Sequence, residues 1–82
     1  MTRKTCTVRA LWDPEAEVWV ATSEDVAGLA TEAPDLETME HKLRAIVPEL
    51  LELNGEAMPS DRRIPLHLVT ERHTDLEVVV NG

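Results

Sequence analysis

From Leu36 onward the apolar residues fall at Leu36, Met39, Leu43, Ile46, Val47, Leu50, Leu51 and Leu53, a stripe at helical spacing over roughly five turns. A helix with one apolar side must lie on a second layer, so this stripe constrains the rest of the fold. Asp35, just after Pro34, is placed to cap its start, and Glu37 and Glu40 complement the positive end of the helix dipole. Asn54-Gly55 supplies a stop. Pro48 interrupts this agreement: it lacks an amide donor and crowds the carbonyl of Arg44, which predicts a kink or a break into two pieces.

The flanking segments supply the second layer. Between Lys4 and Trp12, Cys6, Val8, Ala10 and Trp12 alternate with Thr7, Arg9 and Leu11, the period of a strand buried mainly on one face. Asp13-Pro14-Glu15-Ala16 reads as a hairpin turn. A second strand over Glu17 to Ser23 carries apolar residues on both faces, which suits cover on both sides. Val26-Ala27-Gly28-Leu29 is a further turn, in which Gly28 permits a backbone closed to other residues, and Leu29 to Ala33 is a short third strand. After the helix, Glu56 to Arg63 reads as a loop, and Ile64 to Glu71 alternates again, Pro65 marking a strand start or an edge. Leu76 to Val80 is a last strand-prone piece that pairs either with its own chain or with another subunit, because a bare apolar edge invites association. The expectation is one α+β domain over residues 1–82, ordered strand-strand-strand-helix-strand.

With 82 residues the core is thin, and self-association into a homodimer or larger homo-oligomer is expected. Apolar residues make up 43% and charged ones 29%, the balance of a folded chain. The longest apolar runs, such as Val78-Val79-Val80, are far below the ~18 residues of a membrane span. Met1 to Thr7 has bases with no apolar stretch behind them, so a cytoplasmic address without a signal peptide is expected. From Ala10 to Asp61 thirteen acids face only Lys42 and Arg44, and the whole chain carries a net charge of -8. Such a field repels nucleic acid and draws in a basic protein.

Leu11-Trp12-Asp13-Pro14-Glu15-Ala16-Glu17-Val18-Trp19-Val20-Ala21-Thr22-Ser23, then Val26-Ala27-Gly28-Leu29 and Thr31-Glu32-Ala33, resembles the HicB-like antitoxin family, in particular a short uncharacterised bacterial branch. The similarity runs from the first strand through Ile64-Pro65-Leu66. It implies a truncated RNase H-like antiparallel sheet with one amphipathic helix on one face, and a role in binding a small basic toxin that cleaves messenger RNA. Many HicB proteins carry a further DNA-binding segment; the last ten residues are too few for one, so repression through DNA is not implied.

Little in the chain reads as catalytic. Two-metal nuclease chemistry of the RNase H type needs a carboxylate in the middle of the first strand, and none lies between Arg3 and Trp12. Asp13 is better read as a turn former, and Glu40 and Asp61 as solvated charges. His67 and His73 share a strand face but stand roughly 20 Å apart at ~3.3 Å per residue, too far to share a metal ion. His41 has no neighbouring ligand, Cys6 reads as a small buried hydrophobe, and Ser23 and Ser60 lack a nucleophile motif. No enzyme, cofactor, metal or small-molecule substrate is expected. Trp12 and Trp19 are the only aromatic residues of the Phe, Trp and Tyr class, and their parity predicts one under the helix and the other, Trp19, as an anchor on the open face. The expected partner surface is Glu15, Glu17, Trp19, Glu37 and Glu40, and the expected oligomer interface is Leu76, Val78 and Val80. The rival readings are an orphan oligomeric scaffold and, last, a residual metal-dependent nuclease.

Overall fold

The computed structural model describes residues 5–81. Met1, Thr2, Arg3, Lys4 and Gly82 lie outside the described residues, including the expected start of the first strand at Lys4 and the basic pair beside it. The elements are β1 (Cys6–Asp13), β2 (Val18–Thr22), β3 (Ala30–Ala33), α1 (Leu36–Leu53) and β4 (Leu66–Glu71), in the expected order. They form a four-stranded sheet in the spatial order β3-β2-β1-β4.

The antiparallel sheet expected from the sequence is corrected to a mixed one. β1 pairs antiparallel with β2, and β2 with β3, but β4 runs parallel to β1. Chain direction explains this: β3 points the same way as β1, and the one long helix carries the chain back to the end where β3 began. A strand entered from there must run parallel to β1.

The helix forms where its apolar period and its caps agree. The Asp35 carboxylate Oδ1 accepts the Thr38 amide at 2.6 Å, satisfying one of the donors left free at a helix start. At the other end the Gly55 amide donates to Glu52 and the Glu56 amide to Leu51, with Gly55 at φ 73°. These two bonds make a Schellman stop. Of the kink or break expected at Pro48, the break does not occur, since one helix runs from Leu36 to Leu53. Both sides of the proline share the buried stripe Met39, Leu43, Val47 and Leu51, and Arg44, whose carbonyl loses its donor, is exposed to water. Leu53, expected in the stripe, is 81% exposed.

Register decides which residues meet the helix. Trp12 lies opposite Trp19, and Ala10 opposite Ala21, while Ala21 lies opposite Thr31 and Trp19 opposite Ala33. Cys6, Val8, Ala10, Ala21 and Ala33 are buried on this face. The other face of β2, with Val18, Val20 and Thr22, is not covered as expected, and Val20 and Leu11 are 36% and 49% exposed. Among the described residues the buried core has eleven hydrophobic side chains, of which only Met39, Val8 and Val26 are large and nearly fully buried, so it is thin.

Side chains extend the sheet where β2 ends. The ladder between β1 and β2 begins at Arg9 and Thr22, which leaves the Thr7 peptide groups without strand partners on that side. Asp25 Oδ2 accepts the Thr7 amide at 2.7 Å and the Ser23 hydroxyl donates to the Thr7 carbonyl at 2.6 Å. Ser23 Oγ also accepts the amides of Asp25 and Val26. The following turn closes with the Leu29 amide on the Val26 carbonyl, with Gly28 at φ 85°, as the sequence predicts. Asn54 Nδ2 donates to the Ala27 carbonyl at 3.0 Å, tying the helix end to this turn.

The terminal segment differs most from expectation. Residues 70–81 are exposed throughout, and Leu76 to Val80 form no strand and no hairpin with β4. The described residues span 66 × 26 × 19 Å with a radius of gyration of 16.6 Å, against roughly 12 Å for a compact chain of this length.

Two stability measurements check this account. Asp25→Ala strands the Thr7 amide and is expected to cost about 1–3 kcal/mol in urea unfolding, whereas Asp25→Asn retains most of that stability. The Thr38 backbone hydrogen bond, and then the bond to the Thr38 side chain, hold the Asp35 carboxyl below its ordinary pKa. Its contribution is therefore complete above about pH 4, the unfolded value, and is lost as pH falls through the lower folded value. Asp35→Asn is expected to flatten the acid limb of the stability profile, and an unchanged acid limb would contradict the assigned cap.

Candidate partner-binding site

One end of the sheet gathers most of the residues that the sequence marks as a partner surface. The β1–β2 loop, the end of β3 and the start of α1 meet there, because Asp13 lies opposite Val18 and Trp19 opposite Ala33, two residues before Asp35. β4 ends beside them, since Leu11 is aligned with Glu71. Glu15, Glu17 and Glu37 are exposed at this pole, together with the capping Asp35.

The loop is built by its own acids. Asp13 Oδ1 accepts the amides of Glu15 and Ala16 at 3.0 and 3.3 Å, the turn-forming role expected of it. Glu17 closes the loop at φ 56°, in the left-handed region that costs side-chain-bearing residues roughly 1–2 kcal/mol.

The tryptophans correct the sequence reading. Parity alone puts Trp19 on the open face, away from Trp12; instead the two pair across the hairpin on the helix side. Their rings meet edge to face, with centroids 5.3 Å apart and planes at 61°. A four-residue loop between Asp13 and Val18 fixes a register in which an even and an odd position share a face. The Arg72 guanidinium stands 4.9 Å from the Trp12 centroid, a cation–π contact on the outside of the pair. Both indoles are half-buried, so each keeps part of its ring in solvent while anchored in the fold.

Of the expected partner residues, then, Glu15, Glu17, Trp19 and Glu37 come together. Glu40 stands a turn further along α1, 4.0 Å from Arg44, on the wall of a separate groove. Trp12, Asp35 and Arg72 join the pole without having been singled out as binding residues; counting register across the hairpin finds Trp12, but nothing local marks Arg72.

The remaining candidates have structural surroundings. Cys6 is buried at 4% exposure, Ser23 holds the Thr7 carbonyl, and His73 Nε2 lies 3.1 Å from Glu71 Oε2 at the surface. Among the described residues no three His, Cys, Asp or Glu side chains gather as a metal site, and no helix is long and apolar enough to cross a membrane.

A family model described as a domain of unknown function, DUF1902, matches residues 5–80 and so takes in the exposed terminal segment. Among solved structures the chain is similar to the hypothetical protein TTHA1013 from the extremely thermophilic bacterium Thermus thermophilus. That match has 51% sequence identity and a TM-score of 0.68, and covers 92% of this chain and all of the other. No curated protein matches.

Replacing the strained loop residue gives a direct check of the pole's geometry. Glu17→Gly is expected to raise stability by about 0.5–1 kcal/mol in urea unfolding, the left-handed penalty less the extra chain entropy of glycine. A loss of stability would mean that the Glu17 side chain itself supports the loop.

Proposed function

The chain belongs to the DUF1902 family, and within that family we propose that it is an antitoxin-type binding module of the HicB-like kind, which sequesters a small basic toxin that cleaves messenger RNA. The observation that carries the reading is the pole: an edge-to-face tryptophan pair at the same end of the sheet as the exposed Glu15, Glu17, Asp35 and Glu37. A half-buried aromatic pair supplies apolar contact at little entropic cost, and the acids around it speed the encounter with a cationic surface.

The three-strand, helix, strand order with β4 parallel to β1 supports reading the fold as a truncated RNase H-like sheet. On that reading the scaffold presents a surface rather than a reaction centre, since Asp13, the only carboxylate of β1, is engaged by the amides of its own turn. The address proposed is the cytoplasm, where messenger RNA would be the toxin's substrate. A second reading, an orphan oligomeric scaffold, draws support from the exposed apolar terminal segment and needs no toxin.

A tagged chain used as bait in its native cell at low salt distinguishes them. The antitoxin reading expects a small basic protein, released by a salt step at fixed stoichiometry, whose purified form cleaves messenger RNA and is inhibited by this chain. Reversing Glu15, Glu17 and Glu37 to Lys is expected to weaken that complex by about tenfold or more. Recovery of the chain alone, or of a partner it leaves uninhibited, contradicts the proposal.

A further inference from the structure

The single helix covers only part of the sheet. α1 lies against β2 and β3, and the helix side of β4 is left open to a groove of about 890 Å³ between the second half of α1, the connection leading to β4 and β4 itself. Its floor is apolar: Leu43, Val47, Met58, Ile64, Leu66 and Leu68 line it. Arg44, Arg62 and Arg63 stand on its walls, with Glu40 and Glu52. Three of the chain's eight cationic residues thus gather in one place on a protein of net charge -8. Two are held loosely, Arg44 at 4.0 Å from Glu40 and Arg62 at 3.2 Å from Glu52, in exposed pairs. The Arg63 guanidinium has no partner among the described residues.

The terminal segment has the complementary character. Leu76, Val78, Val79 and Val80 are 80–87% exposed, and Asp75 and Glu77 are its charges, with no base between Thr74 and Asn81. In an extended strand Leu76, Val78 and Val80 share one side, while Asp75 and Glu77 occupy the other. It leaves β4 at the tryptophan pole, whereas Ile64 and Leu66 lie at the opposite end, and it does not turn back along its own strand. β4 is also the outermost strand, so among the described residues no further strand pairs with its edge beside the groove.

We propose that this groove receives residues 75–80 of a second copy of the chain, and that the exchange is reciprocal in a two-fold dimer. The apolar side of the incoming strand covers the groove floor, and its two acids meet the three arginines at the rim. Such an exchange withdraws the exposed leucine and valines from water and blunts the open edge, both of which a monomer leaves as a route to aggregation. It extends a core that is thin in one chain. The proposal assigns Leu76, Val78 and Val80 a receptor, and it does not rest on the existence of a basic partner.

Light scattering of the eluting full-length chain over a range of concentrations tests this. The native chain is expected as a dimer, and Leu76→Asp with Val78→Asp as a monomer whose far-ultraviolet circular dichroism keeps the native helix. Arg63→Glu is expected to weaken the dimer by about tenfold, and Glu77→Lys added to it is expected to restore most of that loss. A native chain that is monomeric at every concentration overturns the proposal, as does a dimer indifferent to the tail substitutions. A tail-dependent dimer in which Glu77→Lys gives no rescue of Arg63→Glu overturns this groove as the receptor.

Discussion

The contact between one stripe of α1 and a sheet face built from small residues underlies the rest of the structure. Met39, Leu43, Val47 and Leu51 are buried on the helix, Ala21 and Ala33 are buried on the strands it lies against, β2 and β3, and Ala10 is buried beside them on β1. Alanines let a helix backbone approach a sheet closely, but they bring little apolar area of their own. Burial here is therefore sufficient to order the layers without a deep core. The caps at Asp35 and Gly55 and the side-chain bridges from Ser23 and Asp25 matter more in such a chain than in a larger domain.

That same contact distributes the surfaces. Because the helix sits over β2 and β3, its start brings Asp35 and Glu37 to the hairpin end of the sheet, and its second half leaves β4 bare. The acidic pole and the apolar groove are thus two consequences of one helix placement. The pole is fixed by the hairpin register and by Arg72 over Trp12; the groove is fixed by what a single helix cannot cover. Acids dominate the first, and arginines gather at the second beside Glu40 and Glu52, so the two surfaces differ in charge.

Much of this was legible in the sequence, and the failures have physical causes. The helix, its caps and the order of strands follow from local periodicity and turn chemistry, which are written residue by residue. The direction of β4 is not a local property: it depends on where the helix delivers the chain, and Leu66 to Glu71 would read the same either way. The placement of Trp19 failed because parity along a strand does not carry across a hairpin until the loop length sets the register. The unbroken helix at Pro48 shows shared burial on both sides of a proline prevailing over the loss of one hydrogen bond. That Glu15, Glu17 and Glu37 are solvent-exposed follows from their charge, whereas the place of Arg72 does not show locally, because Trp12, over which it stacks, lies sixty positions away in the chain.

The two tryptophans, in a chain without Tyr or Phe, make the pole directly observable. The most direct test of the proposed pole is a nitrogen-15 correlation spectrum of the chain titrated with any small basic protein that the salt step releases, following the two indole N–H signals. Both indole signals are expected to shift with saturation at one equivalent, together with the backbone amides of Glu15, Glu17 and Glu37. Saturable binding that leaves both indoles unmoved and shifts the amides of Val47, Met58 and Leu66 would contradict the proposed pole, placing the partner in the groove.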